Sequence, residues 1–165
     1  MAWLLLAGML FGCGQAPITE TPRHEETRPT QNAEHRNSDR YDLQRDEDRG
    51  GHTLARHVAR TDEQLAERLR KERNIAAAST WTNREIAEET VAAGLRAEQR
   101  RIDSWMRRGE RRPNLALHYN AGQTIGRSLR RGETESVPCT GAVIVLRADG
   151  PDGFYVLTAY PEARE

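Results

Sequence analysis

The period at which apolar residues recur changes once along this chain, at Pro113, and that change limits the fold more than any other feature. Before it the spacing is helical. Thr61 and Gln64 form a capping box, each side chain able to satisfy the other's backbone N–H, and Leu65 and Leu69 follow one turn apart. This predicts a helix over residues 62–73, after a short one over 53–58. Residues 76–81 read as a bridge or short strand. Thr82 with Glu85 reads as a second capping box that opens the longest helix, running to about Arg108 with Gly109 as its stop. Ala87, Val91, Leu95, Ile102 and Met106 form its apolar stripe. After Pro113 the pattern alternates. Leu115, Leu117 and Tyr119 face one way, Ala116 and His118 the other. Residues 123–130 are a second strand candidate, interrupted by Gly126. Residues 142–146, AVIVL, are apolar on both faces and predict a central strand. A turn over 149–153 then returns the chain in a last strand, 154–160, paired with it as a hairpin. Helices first and strands afterwards predict an α+β fold, N-terminal helices packed on an antiparallel sheet around one core.

The chain upstream of residue 50 has a different composition. Residues 14–49 offer only Ile18, Tyr41 and Leu43 for burial, among prolines at 17, 22 and 29 and many charges. Such a segment cannot offset its ordering entropy, so it reads as a disordered polar tether with His24 and His35 exposed on it. Residues 1–13 read as a signal peptide. Trp3 to Phe11 is an apolar run shorter than the roughly 20 residues a spanning helix needs. It ends in Leu10-Phe11-Gly12-Cys13, which resembles a bacterial lipobox, so Cys13 is the candidate lipidation site. The expectation is an exported protein anchored to a membrane by lipid, periplasmic or at the cell surface. Phe11 is bulky for its position and no Lys or Arg precedes the run, which keeps open a plain secretory signal, with a secreted product, or a misassigned start.

Formal net charge is zero, but residues 1–49 carry −3 and residues 50–165 carry +3. That excess is compatible with a phosphate-bearing partner without requiring one, and a dedicated nucleic-acid binder is usually more basic. Two cysteines, Cys13 and Cys139, exclude a disulfide scaffold. A domain over residues 50–165 is large enough to be held by its core alone. The chain has no Gly-rich phosphate loop, CxxC pair or HExxH, and its five histidines lack ligand spacing, so no metal or cofactor site is read. His52 and His57 are the nearest pair. On a continuous helix five residues leave about 140° between side chains, so one ring would face a cleft and the other solvent or a helix end.

Five blocks stand in order over residues 50–165: GGHTLARHVARTDEQLAERL, AASTWTNREIAEETVAAGL, RRPNLALHYNAGQTIGRSLRRGE, VPCTGAVIVLR and FYVLTAYPE. Together they resemble the bacterial RNase A-like domain, the C-terminal toxin of some contact-dependent inhibition proteins. The resemblance implies a kidney-shaped α+β fold without the disulfides of the vertebrate enzymes. It also implies RNA cleavage without metal or cofactor, and it suggests an immunity-like inhibitor as partner. It carries the family's His and Arg onto His57 and Arg68, and its Thr and Tyr onto Thr158 and Tyr160. His52 lies in the same block and stands as the alternative base.

The residues agree with this in their own terms. Arg68 sits at the rim of the Leu65–Leu69 stripe, where it can reach a cleft while its stem stays packed. Thr158 and Tyr160 leave one face of a strand, and Phe154 and Val156 are expected on that face as an apolar floor. In such a set His57 would take the proton of a ribose 2′-hydroxyl, Arg68 would stabilise the phosphoryl charge, and Thr158 or Tyr160 would bond a phosphoryl oxygen or the base. The proton donor is missing, with His118 as a spare candidate. Without the family, His57 is more often a helix-end residue, Arg68 a solvated charge, and Thr158 and Tyr160 ordinary strand residues. Trp81 and Trp105 are more often core or rim than stacking platforms, and Arg107-Arg108 and Arg130-Arg131 are more often solvated faces, although either pair could steer RNA. Two functions stand: a membrane-tethered ribonuclease, toxin or scavenger, and a catalytically inactive lipoprotein binding module on the same fold.

Overall fold

The computed structural model describes residues 40–109 and 112–163. The expected signal peptide with Cys13, and residues 14–39 of the expected tether with His24 and His35, lie outside the described residues. The last ten residues of that tether are a correction, because they carry helix α1 (Leu43–Glu47). Asp42 caps it by accepting the N–H groups of Gln44 and Arg45. Leu43 is 1 % exposed within the main core. The buried Asp46 carboxylate accepts from Tyr41 Oη and from the backbone N–H of Val156, both at 2.6 Å. One leucine would not order such a segment; a leucine and a buried carboxylate with two donors do, and composition registers only the first.

Helices α2 (Thr53–His57) and α3 (Asp62–Lys71) follow. The Thr61–Gln64 capping box forms in both directions. Leu65 and Leu69 pack with Ala78 and Leu129 into a small cluster separate from the main core. Strand β1 (Ala77–Trp81) comes next, then helix α4 (Arg84–Ala97). Its cap is Asn83, whose Oδ1 accepts the Ile86 N–H at 2.8 Å, and not the expected Thr82. The long helix is divided at Glu98 (φ −100°, ψ 14°), after which α5 (Gln99–Met106) buries Ile102 and Trp105. Gly94 lets α4 lie close on the sheet: a Cβ there would come within 2.5 Å of Ile144 Cδ1.

The strands form two antiparallel sheets of three rather than one sheet. In the first, β5 (Gly141–Asp149), which contains AVIVL, is central between β2 (Leu115–Asn120) and β6 (Gly153–Glu162). In the second, β3 (Gly126–Arg130) lies between β1 and the short β4 (Val137–Cys139). The sequence pattern missed β4, whose Pro138 is tolerable because the strand is an edge. The main core lies between α4, α5 and the first sheet, with Val91, Leu95, Ile102, Leu117, Ile144 and Leu146 in it. Trp81 ties the sheets together, its fully buried indole N–H donating to Ala159 O at 3.0 Å. Cys139 is a buried free thiol, its pKa pushed up to about 11 by burial and by Glu162.

Strand β6 does not alternate evenly. Val145 pairs with Thr158 but Leu146 pairs with Val156, so Leu157 is an extra residue, a β-bulge. An inserted residue reverses which face later side chains take. Val156 and Ala159 are therefore both in the main core at 0 % exposure. The expected floor of Phe154 and Val156 beneath Thr158 and Tyr160 does not form. Val156 is core, and Phe154 instead packs its ring edge against Trp105, 6.2 Å between centroids. The bulge is held from the chain's start: Asp46 takes the Val156 N–H, His52 N donates to Leu157 O at 3.0 Å, and Ala159 N donates to Thr53 Oγ1 at 2.8 Å.

Candidate active site

Helices α2 and α3, strands β1 and β3 and the end of β6 enclose a cleft of about 640 Å³. His57, Arg68, Thr158 and Tyr160 all line it, and so does His52. Two neighbouring helices and a strand from the far end of the chain deliver them. The end of α2 brings His57, the inner face of α3 brings Arg68, and the bulge in β6 turns Thr158 and Tyr160 away from the core.

His57 is 6 % exposed. Its Nδ1 lies 3.2 Å from Ser79 O on β1. A carbonyl only accepts, so that nitrogen carries the ring hydrogen, leaving Nε2 as the basic atom. The ring stacks on Tyr160, with centroids 5.4 Å apart and planes 30° from parallel. Burial first, and the Arg68 charge second, lower its pKa from 6.5 to about 3, with the Ser79 bond acting in the opposite direction. His57 is therefore a neutral imidazole at neutral pH, with tautomer and ring plane both fixed.

Arg68 uses Nε for Glu72 Oε1, 3.2 Å away on the same helix. Its Nη1 is buried without a hydrogen-bond partner. Thr158 Oγ1 is in the same condition. A guanidinium N–H and a hydroxyl, both desolvated and unmet in one cleft, are a docking point for anionic oxygens. Burial and the nearby Glu162 raise the Tyr160 pKa, so its hydroxyl keeps its proton and serves as a donor.

His52 departs from the helical expectation. It precedes α2 with φ −151° and ψ 27°, so the 140° rotation does not apply, and both histidines face the cleft. Sequence reasoning gave no role to Ser79 or Ser128, which also line it, and read Arg130, another lining residue, as a solvated face able at most to steer RNA. Ser128 lies within the GRSL block of the resemblance, a signal that was present but carried no chemistry of its own. Arg131 is exposed, as expected of a solvated face, and also donates to the Glu72 and Ile75 carbonyls at the end of α3. Trp81 and Trp105 are core. His118 is exposed on β2, its Nδ1 3.4 Å from Glu162 Oε2, and does not line the cleft.

The family model for the bacterial CdiA-CT RNAse A domain matches residues 51–161. The chain belongs to this family. Among solved structures, the crystal structure of a CdiA-CT/CdiI complex from Y. kristensenii is similar, with 32 % identity and a TM-score of 0.61 over 68 % of this chain and 99 % of that one. No curated protein matches the chain. The span matched to the CdiA-CT RNAse A domain contains every residue named above as lining the cleft, from His52 to Tyr160. It begins after α1, although α1 supplies the carboxylate that holds the β6 bulge.

Proposed function

We propose that this chain is a metal-independent endoribonuclease that cleaves RNA by attack of the ribose 2′-hydroxyl on the adjoining phosphorus. The observation that carries this is the pair of buried, unmet polar atoms, Arg68 Nη1 and Thr158 Oγ1, in one cleft with a neutral histidine. They suit the two non-bridging oxygens of a phosphodiester. His57 Nε2 accepts the 2′-hydroxyl proton, the 2′-oxygen bonds to phosphorus, and the bond from phosphorus to the 5′-oxygen breaks. The products are a 2′,3′-cyclic phosphate and a 5′-hydroxyl. Tyr160, stacked on the imidazole, keeps the ring in plane. A pKa near 3 makes His57 a weak base in the empty cleft. A bound phosphodiester raises it part of the way, because its charge offsets that of Arg68, the second cause of the lowering after burial.

The purified full chain is expected to cut RNA in the presence of EDTA, and His57→Ala to lower the rate at least about tenfold, within the usual range for general-base help. A requirement for Mg²⁺, or inertness with folding confirmed, would refute the reading and favour the inactive binding module. By likeness to the Y. kristensenii complex, the domain acts as a toxin silenced by an immunity-type protein; co-purification with the product of a neighbouring small acidic gene tests this. Export and lipid attachment at Cys13 complete the proposal. Cys13→Ser should release the protein from the membrane fraction, and unchanged membrane association would reject the anchor.

A further inference from the structure

The cleavage proposed above leaves a 5′-alkoxide unless a proton meets it, and a base alone does not supply one. The cleft holds few groups that can. A guanidinium is not a proton source in a protein, which sets aside the arginines lining the cleft. Glu162 faces His118 on the exposed rim. Tyr160 holds its proton more tightly than free tyrosine, because of burial and Glu162. His57 is neutral, with its one ring hydrogen directed at Ser79. One proton carrier is left.

We infer that His52 is the general acid of this cleft, delivering a proton to the departing 5′-oxygen while His57 removes one from the 2′-hydroxyl. The inference rests on the ribonuclease reading and completes its proton balance. The 2′-oxygen–phosphorus bond forms and the phosphorus–5′-oxygen bond breaks. One proton passes from the 2′-hydroxyl to His57 and another from His52 to the 5′-oxygen, and solvent then restores both rings.

Three observations converge on His52. Its backbone N–H donates to Leu157 O at 3.0 Å, which registers it one residue before Thr158. Its side chain makes no capping bond to α2, so the ring is not committed to the helix. It is only partly buried whereas His57 is enclosed, and this puts the two rings at different depths of the cleft. Attacking and leaving oxygens stand roughly in line across phosphorus, so acid and base must approach from different sides. The charged groups around His52 are Glu47 on α1, Arg56 on α2 and Arg68 on α3, and the neutral titratable groups facing it are His57 and, across the cleft, Tyr160. Burial and the two arginines lower its pKa from 6.5. The acid form is then scarcer at neutral pH but is a stronger donor, and the incoming phosphodiester offsets the arginines.

The test compares the full chain with His52→Ala and His57→Ala on two kinds of substrate. One is an RNA oligonucleotide of mixed sequence. The other is a mixture of the four nucleoside 3′-(4-nitrophenyl phosphates), whose phenolate departs without a proton. His52→Ala should slow RNA cleavage by about a hundredfold or more yet leave nitrophenyl release within about tenfold of the unaltered chain. His57→Ala should slow both. The fall of kcat/KM with rising pH, set below 6.5 by His52, should vanish in His52→Ala. Equal losses of His52→Ala on both substrates, or no loss on RNA, overturn the assignment. Failure of the unaltered chain on both overturns the ribonuclease reading instead. Thermal melting confirms that the variants fold, and His52→Gln repeats the comparison if the alanine variant does not.

Discussion

The two sides of β6 are finished differently. Along its free edge, Val156 N, Leu157 O, Ala159 N and Ala159 O meet Asp46, His52 N, Thr53 Oγ1 and Trp81 Nε1, all between 2.6 and 3.0 Å. On its cleft face, Thr158 Oγ1 is buried and unmet, as is Arg68 Nη1. Asp46 Oδ1 also lacks a hydrogen bond, but Arg45 Nε lies 3.5 Å from it. A buried polar group without a partner costs about 1–3 kcal/mol. At β6, polar burial along the edge is closed by the chain, while polar burial facing the cleft is left open. Changes along the edge should therefore act on stability, and changes in the cleft on activity.

The largest expected effect is on the cleft side. Arg68→Ala should lower RNA cleavage by about 10²–10³-fold, as loss of a preorganised donor to transition-state charge does, with little change in the urea midpoint. A large loss of stability would show that Arg68 belongs with the edge. Next is acid sensitivity from His57. Its folded pKa, about 3, lies below the ordinary 6.5 that the unfolded chain restores. The stability it contributes is therefore whole above 6.5 and is lost as pH falls towards 3. Linkage puts the loss between pH 7 and pH 4 at about 3 kcal/mol. Urea titrations should show this slope, and His57→Gln should remove it; an equal slope in the variant would mean other groups cause it. Third, Asp46→Ala strands the Val156 N–H and the Tyr41 hydroxyl and should destabilise by about 2–3 kcal/mol. The folded fraction at low temperature should keep RNA cleavage within about tenfold; a larger loss of rate with normal melting would contradict the contrast. The smallest is Thr158→Val, which replaces an unmet hydroxyl with a methyl group. It should raise stability by about 1 kcal/mol while weakening RNA cleavage, and a drop in stability would mean that the hydroxyl already has a partner.

Much of this was legible in the sequence because it depends on period. The switch at Pro113 gave helices before strands, AVIVL gave the central strand, and Thr61 with Gln64 gave the start of α3. What was not legible depends on breaks in period. Leu157 carries no Gly or Pro to announce an inserted residue, so Val156 was expected on the wrong face. His52 was judged by a helical rotation it escapes by standing just outside the helix. Helix α1 hides because its second anchor is a carboxylate, which composition counts as solvated. Arg68 and Thr158 could be placed beside a cleft from spacing and resemblance. That one atom of each would be left unmet is a property of packing across α3 and β6, which no local pattern encodes.

Cys139 has a wider consequence. Its thiol is sealed at 0 % exposure and its pKa is raised to about 11, so almost no thiolate exists to exchange with oxidants. No cross-link constrains the described residues, and packing alone returns them to their places. The thiol–disulfide poise of the compartment therefore has no handle on the described fold, which stands on the same packing in reducing and in oxidising surroundings.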